Sequence, residues 1–373
     1  MLLFPFGVFM NSEIVYLYMY DAGTTFTEEQ LNGLLKNPED FSKYEFSKPK
    51  PEEISTFDIP SIFNLKDETL ALEGGITHKF RVQAALYQFG GYSIRIRYAI
   101  SEGTYDNISK LTFDSRINDF LKTIVAKTKK KVESALSKTA NINVNQRNES
   151  YRFYYIEGDK AQILKKYSKM IVGLMIDEPN TDSMNDEYVS SVLNKNMSYD
   201  NTNIFFVGWE GAVMIDNQYV HEHELLIAEI ANLQFLEMRI QHSVLIERLN
   251  AANKILNAKD KRKFPENMGN SDIKALNSML GRAYDSTRNM LNNVNDTVFS
   301  LGEWYLARVY SVFSSEFKLD TWKELLERDL EAVDDEREYV YDLVSVRHED
   351  FLEYIIIILI VIEVLVEVFV LLK

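Results

Sequence analysis

The chain has 373 residues, of which 46% are hydrophobic and 26% charged, with a formal net charge of −15. That length admits two domains, or one domain with a large appendage, and the few Gly and Pro leave little room for long linkers. An acidic surface repels phosphate backbones, which excludes general nucleic-acid binding; the absence of cysteine excludes disulfides, thiolate metal sites and thiol catalysis.

In chain order, residues 1–10 are apolar but carry no basic leader and no cleavage site, and they read as a strand or core segment rather than a signal peptide. Residues 14–20 are rich in β-forming side chains and end at the turn Asp21-Ala-Gly23. Residues 36–68 hold most of the prolines and read as a loop. Two strands, 80–87 and 92–98, flank Gln88-Phe-Gly-Gly91 as a hairpin. In the second, Ser93, Arg95 and Arg97 alternate with Tyr92, Ile94, Ile96 and Tyr98, which predicts one wet face and one dry face.

Helical spacing takes over at 114–138, where Ile117, Phe120, Leu121, Ile124, Val132 and Leu136 form one stripe. A strand at 151–156, helices at 159–176 and 186–193, and a strand pair at 204–207 and 212–215 around Trp209 complete the first part. Strands with a few helices predict an α+β domain with a mainly antiparallel sheet over residues 1–220. The β signal then stops. Helices at 222–256, 272–298 and 303–317 lead to a Pro- and Gly-free stretch from Thr321 onward, and Thr321-x-x-Glu324 has the form of a capping box. Residues 221–350 are therefore expected to be a helical region with a long stalk. Its seven-residue steps Leu326, Val333 and Val340 hint at a coiled coil, though Arg337 and Arg347 interrupt the stripe, and it would pack equally against the chain's own helix 303–317 or another subunit.

Residues 354–372 are apolar apart from Glu363 and Glu367, and at 1.5 Å per residue span roughly 28 Å, close to the hydrocarbon core of a bilayer. Residues 351–373 are accordingly expected to form one C-terminal transmembrane helix that tethers a cytoplasmic body. Tyr354 would sit at the membrane interface. Glu363 and Glu367, four residues apart on one face, would serve oligomer contacts within it.

Few residues point to chemistry. His221-Glu-His-Glu224 lacks the H-E-x-x-H spacing, so no metal and no cofactor are expected. Glu229 and Glu237 bracket Asn232, Gln234 and Arg239 on a helix that must also bury Leu233 and Leu236, which favours a buried Glu–Arg pair holding that helix to the sheet over a catalytic carboxylate. Gly74-Gly75 and Gly90-Gly91 are turn glycines without a phosphate-loop context. Lys122, Lys127, Lys129, Lys130 and Lys131 form the main basic patch. It reads either as a solvated helix face or as a contact for anionic headgroups or ribosomal RNA.

Leu301-Gly-Glu-Trp-Tyr-Leu-Ala-Arg308, Trp322 opening a long helix, and Arg347-His-Glu-Asp-Phe-Leu-Glu-Tyr354 running into the Ile-rich stretch ending Ile362-Glu-Val364 resemble the family named "required for meiotic nuclear division". Ile230-Ala-Asn-Leu-Gln-Phe-Leu-Glu-Met-Arg239 and the strand pair with Trp209 fit the same order, so the resemblance covers about residues 200–366. It implies a tail-anchored, homo-oligomeric protein that supports membrane-associated translation, with no catalytic residues assigned. Partners would be the bilayer, further copies of the chain, and a ribosome or other cytoplasmic protein. The lack of a presequence favours a prokaryotic cell membrane over a mitochondrial inner membrane. The expected function is a membrane-tethered scaffold; the alternative is a hydrolase-like enzyme with its site in the sheet domain, which a deep polar pocket would favour.

Overall fold

The computed structural model describes residues 12–36, 42–43, 60–72, 77–100, 105–217, 222–257, 270–300 and 304–371. In chain order these form β1 (Ser12–Asp21), α1 (Glu28–Asn32), β2 (Ser42–Lys43), β3 (Ser61–Asn64), β4 (Glu68–Ala71), β5 (Thr77–Leu86), β6 (Gly91–Ile100), α2 (Asp106–Thr112) and α3 (Ser115–Leu136). There follow β7 (Glu149–Glu157), α4 (Lys160–Ile176), α5 (Asp186–Leu193), β8 (Asn196–Met197), β9 (Ile204–Val207) and β10 (Gly211–Asp216). Four helices end the chain: α6 (Glu222–Asn257), α7 (Asn270–Ser300), α8 (Trp304–Phe317) and α9 (Leu319–Leu371). The reading of residues 1–10 as a strand and the glycines Gly74-Gly75 lie outside the described residues.

The ten strands make one sheet in the order β2-β3-β5-β6-β1-β7-β10-β9-β8, with β4 pairing β5 off that path. Every described pairing is antiparallel except β7 with β10, which run parallel because α4, α5 and β8–β9 intervene between them. The central strands β1 and β6 pair along their whole length, from Ser12 opposite Ile100 to Asp21 opposite Gly91. The turn between β5 and β6 is tight: Gly90 holds φ +106, and a Cβ there would fall 2.3 Å from the Thr24 carbonyl oxygen.

Two units divide the chain, one of residues 1–237 with 293–320, the other of residues 238–292 with 321–373. In the first, one sheet face carries Ile14, Tyr16, Phe80, Val82, Ile94 and Ile96 into a core closed by Ile117, Leu121, Ile124, Val132 and Leu136 of α3 and by Ile163, Ile171 and Leu174 of α4. These helices start where side chains satisfy the free backbone N–H groups: Asp114 accepts from Arg116 at 2.8 Å, Asp159 from Gln162 at 2.8 Å, and Asn185 from Glu187 at 2.7 Å. The opposite sheet face is covered by the first half of α6. Ser93, Arg95 and Arg97 are therefore buried, at 0%, 1% and 4% exposure, and the wet face expected from their alternation is a second, polar core.

In the second unit, Ile240 and Leu245 of α6, Ile273, Leu276 and Leu280 of α7, and Leu326, Leu330, Val333 and Val340 of α9 are buried. The stripe that suggested a coiled coil between chains is thus spent inside the unit. Polar groups align the same three helices: His242 Nδ1 meets Asp329 at 2.6 Å, Thr287 donates to Gln241 at 3.1 Å, and the Arg337 guanidinium lies 5.4 Å from the Tyr284 ring centre. The capping box at Thr321 does not form the start of α9. The helix begins two residues earlier, straight after Lys318 in the left-handed region at φ 55.

The structure corrects the membrane reading. Among the described residues, no helix is long and apolar enough to cross a membrane. The fold is an α/β sheet domain followed by helices; the expected C-terminal transmembrane helix, and the tail-anchored localisation that rested on it, are not supported among the described residues.

Candidate functional site

The polar core under α6 is the most highly organised chemistry in the first unit. Glu229, fully buried, accepts from Arg95 through both guanidinium branches (Nε at 2.7 Å), from Ser93 Oγ at 2.5 Å and from Tyr87 at 2.9 Å. This is the Glu–Arg pair expected to hold the helix to the sheet, with its cation on β6. Burial would pull the Arg95 pKa down, but the charge and hydrogen bonds of Glu229 carry it above its ordinary value. One turn of the pattern away, Arg97 donates to Glu13 at 2.6 and 3.0 Å and to Glu222 at 2.6 Å. Strand and helix are thereby cross-linked twice.

Glu237 behaves differently. It is buried beside Asp21, and burial together with the Asp21 charge raises its pKa well above the carboxylate range. Burial also raises Asp21, against the lowering effect of the Gly23 N–H, which donates to it at 2.7 Å, and of the hydrogen bond with Glu237. Two like charges in one dry site cannot both ionise cheaply, so the pair shares a proton.

The lysine patch is mostly neutralised by its own surroundings. Lys122 pairs with Asp119 at 2.9 Å, Lys127 with Glu68 at 2.6 Å, and Lys129 with Glu133 at 3.6 Å while lying 4.8 Å from the Tyr20 ring centre. Lys131 also has an interaction, which leaves Lys130 as the member without a partner among the described residues. At the chain's end, Tyr354 is 67% exposed and Glu363 is exposed within the apolar run, while the side chain of Glu367 lies outside the described residues. From Ile355 to Val366 the isoleucines, leucines and valines are all between 37% and 63% exposed, on every side of the helix.

No group of three or more metal-ligating side chains occurs among the described residues; His221 lies outside them, so the His221–Glu224 cluster is described only in part. What sequence reasoning missed is an open cavity of about 660 Å³ where β5 begins and β6 ends, walled by α2, the start of α3 and the residues flanking β4. Its residues come from β1, β5, β6, α2 and α3, with Asp67 and Leu72 either side of β4 and Asp114 before α3, and no local pattern links them.

A family model described as "Uncharacterized protein MJ0711, N-terminal domain" matches residues 11–221, the sheet domain. The chain is also similar to the uncharacterized protein MJ0711 of Methanocaldococcus jannaschii, 20% identical over 205 residues. That alignment takes in 54% of this chain and 61% of the relative, so the chain spans less than two thirds of the relative it matches. No solved structure matches.

Proposed function

The chain belongs to the family of the uncharacterized protein MJ0711, N-terminal domain, and from that premise we propose that it is a self-associating scaffold, assembled through the apolar end of α9 and presenting its sheet domain to a protein partner. The observation that carries the reading is the exposure of residues 355–366. Monomeric proteins rarely leave a contiguous apolar patch of more than a few hundred Å² in water. A helix apolar on every side cannot be satisfied by one groove, whereas several parallel copies bury all its faces. Each half-exposed Ile, Leu or Val covered in this way contributes about 1 kcal/mol. Glu363 is the polar member of that surface, and such a residue fixes register and copy number at some cost in stability.

Sedimentation velocity on the full chain tests this. Wild type is expected to populate species larger than a monomer in a concentration-dependent way. Leu359→Asp with Ile362→Asp should be monomeric with unchanged helix content, and Glu363→Gln should remain assembled. A wild type that is monomeric at every concentration, or a double variant that assembles as wild type does, would remove the basis for the reading.

A further inference from the structure

We propose that the exposed aromatic stack of Tyr199 and Trp304 docks an arginine-bearing segment of a partner protein, with guanidinium groups lying on the rings and pairing with Asp200. The inference rests on the scaffold reading above, in which the sheet domain meets a protein partner, and supplies the chemistry of that partner.

Tyr199 lies in the turn between β8 and β9, Trp304 opens α8, and both belong to the first unit. Their rings stack, with centres 5.9 Å apart and planes at 24°. Tyr305 stands steeply across both, 5.0 Å from Tyr199 and 6.2 Å from Trp304, and its hydroxyl is hydrogen-bonded with Glu224 of α6. In spite of these mutual contacts, Tyr199 is 59% and Trp304 64% exposed. Single exposed aromatics are ordinary. Two large rings that stack on each other and still face water form the kind of surface that anchors a partner.

The turn that carries Tyr199 is tied down by side chains. The Tyr199 N–H donates to Asn203 Oδ1 at 2.8 Å. Asp200 Oδ1 accepts from the Thr202 hydroxyl and N–H, both at 2.7 Å, and from the Asn203 N–H at 3.1 Å. The Thr202 hydroxyl and these N–H groups lower the Asp200 pKa, which keeps the carboxylate ionised. All three bonds fall on Oδ1. Asp200 is exposed, and its Oδ2 has no hydrogen-bond donor among the described residues.

The local field is negative as well. Burial raises the Tyr305 pKa, and the charges of Glu224, Asp216 and Asp200 raise it further, so three carboxylates act on that hydroxyl. Against them stands Lys160, whose Nζ is held by the main-chain carbonyls of Asp200 at 3.3 Å and Asn203 at 3.0 Å. In a chain of net charge −15, aromatic faces beside ionised carboxylates select a cationic guest. Arginine fits better than lysine. A flat guanidinium stacks on a ring while its edge N–H groups reach a carboxylate, whereas an ammonium, compact and strongly hydrated, has no flat face to stack.

Fluorescence anisotropy of a labelled tetra-arginine peptide titrated with the full chain, at one fixed low ionic strength, tests the proposal. The peptide should bind with a Kd below about 1 mM, at least about threefold more tightly than tetra-lysine. Tyr199→Ala, Trp304→Ala and Asp200→Asn should each weaken binding about two- to fivefold, the loss expected for one exposed cation–π contact or ion pair. The last of these keeps an Oδ1 acceptor for the turn, and circular dichroism should be unchanged in all three. Tyr341→Ala, which removes an equally exposed ring of α9, should leave binding unaltered. Failure of tetra-arginine to bind would overturn the proposal. So would equal affinity for both peptides, which would reduce the attraction to bulk charge, or equal weakening in Tyr341→Ala. Tetramethylammonium displacing the peptide at matching concentration would mark a site for small ammonium ions and overturn it too. Assembly through α9 is read by sedimentation instead, so a failed peptide titration and a failed assembly are told apart.

Discussion

Replacing Glu229 by Gln tests whether the polar core under α6 acts as an electrostatic lock. The substitution keeps the shape but removes the charge that Arg95, 1% exposed, faces through two guanidinium branches. An uncompensated buried cation costs about 3–5 kcal/mol, a large part of the ~5–15 kcal/mol that a domain has in total. A four-site replacement, Arg95→Met, Glu229→Leu, Tyr87→Phe and Ser93→Ala, removes the cation, its counter-charge and both hydroxyl donors together, leaving no buried group unsatisfied. It should cost far less than Glu229→Gln, because replacing an entire buried pair by apolar groups is often close to neutral. Since the chain has two units, a global unfolding midpoint mixes them, so hydrogen exchange with mass spectrometry on peptides from β6 and the first half of α6 is the better assay. Glu229→Gln should accelerate exchange there by roughly two to four orders of magnitude, following the same ~3–5 kcal/mol. A penalty below about 1 kcal/mol, or a four-site variant as damaged as the single one, would refute the lock.

Because the folded-state pKa of Glu237 is raised, the native pair binds a proton that the unfolded chain releases near pH 4–5. Its contribution to stability is therefore full below that range and falls as pH rises towards the folded value, at up to about 1.4 kcal/mol per pH unit for one proton. Glu237→Gln should flatten that decline in a urea-denaturation series from pH 5 to 9, and a variant with the wild-type slope would show that the pair carries no shared proton. Gly90→Ala should destabilise the β5–β6 turn by more than about 1 kcal/mol, since the left-handed backbone and the Thr24 carbonyl both oppose a Cβ. A thermal midpoint within a degree of wild type would contradict that.

Much of the local structure was legible because it is set by local periodicity. The helix expected at 186–193 coincides with α5, and the expected hairpin strands 80–87 and 92–98 fall on β5 and β6, each of which is longer than expected, Thr77–Leu86 and Gly91–Ile100. Two short strands, β3 and β4, were hidden in a proline-rich stretch whose composition reads as loop, because their partner β5 lies further along the chain. The alternation Ser93, Arg95, Arg97 suggested solvent on one side of β6; a polar face matched by Glu222 and Glu229 on a helix well over a hundred residues later looks the same in sequence as one matched by water. The same reasoning in reverse made Glu229 visible, since a carboxylate among buried leucines needs a cation. The long apolar run was read against bilayer thickness, a criterion that no helix among the described residues meets. The cavity was out of reach altogether: its five contributing elements converge only once the sheet has closed.

The place of β1 in the sheet also constrains how the protein comes into being on the ribosome. The first strand among the described residues, β1, sits at the centre, between β6 and β7, with both neighbours antiparallel to it. Its inner partner strands are complete only at Ile100 and Glu157. At translation speeds of about 5–20 residues per second, the strand waits on the order of ten seconds for its second neighbour. During that interval both of its edges and the apolar side chains Ile14, Tyr16 and Tyr20 are available to any other chain nearby. Holding Ser12–Asp21 apart until β7 emerges is thus a task for a nascent-chain chaperone, and slowing elongation between Ile100 and Glu157 should lower the soluble yield more than slowing it after Asp216.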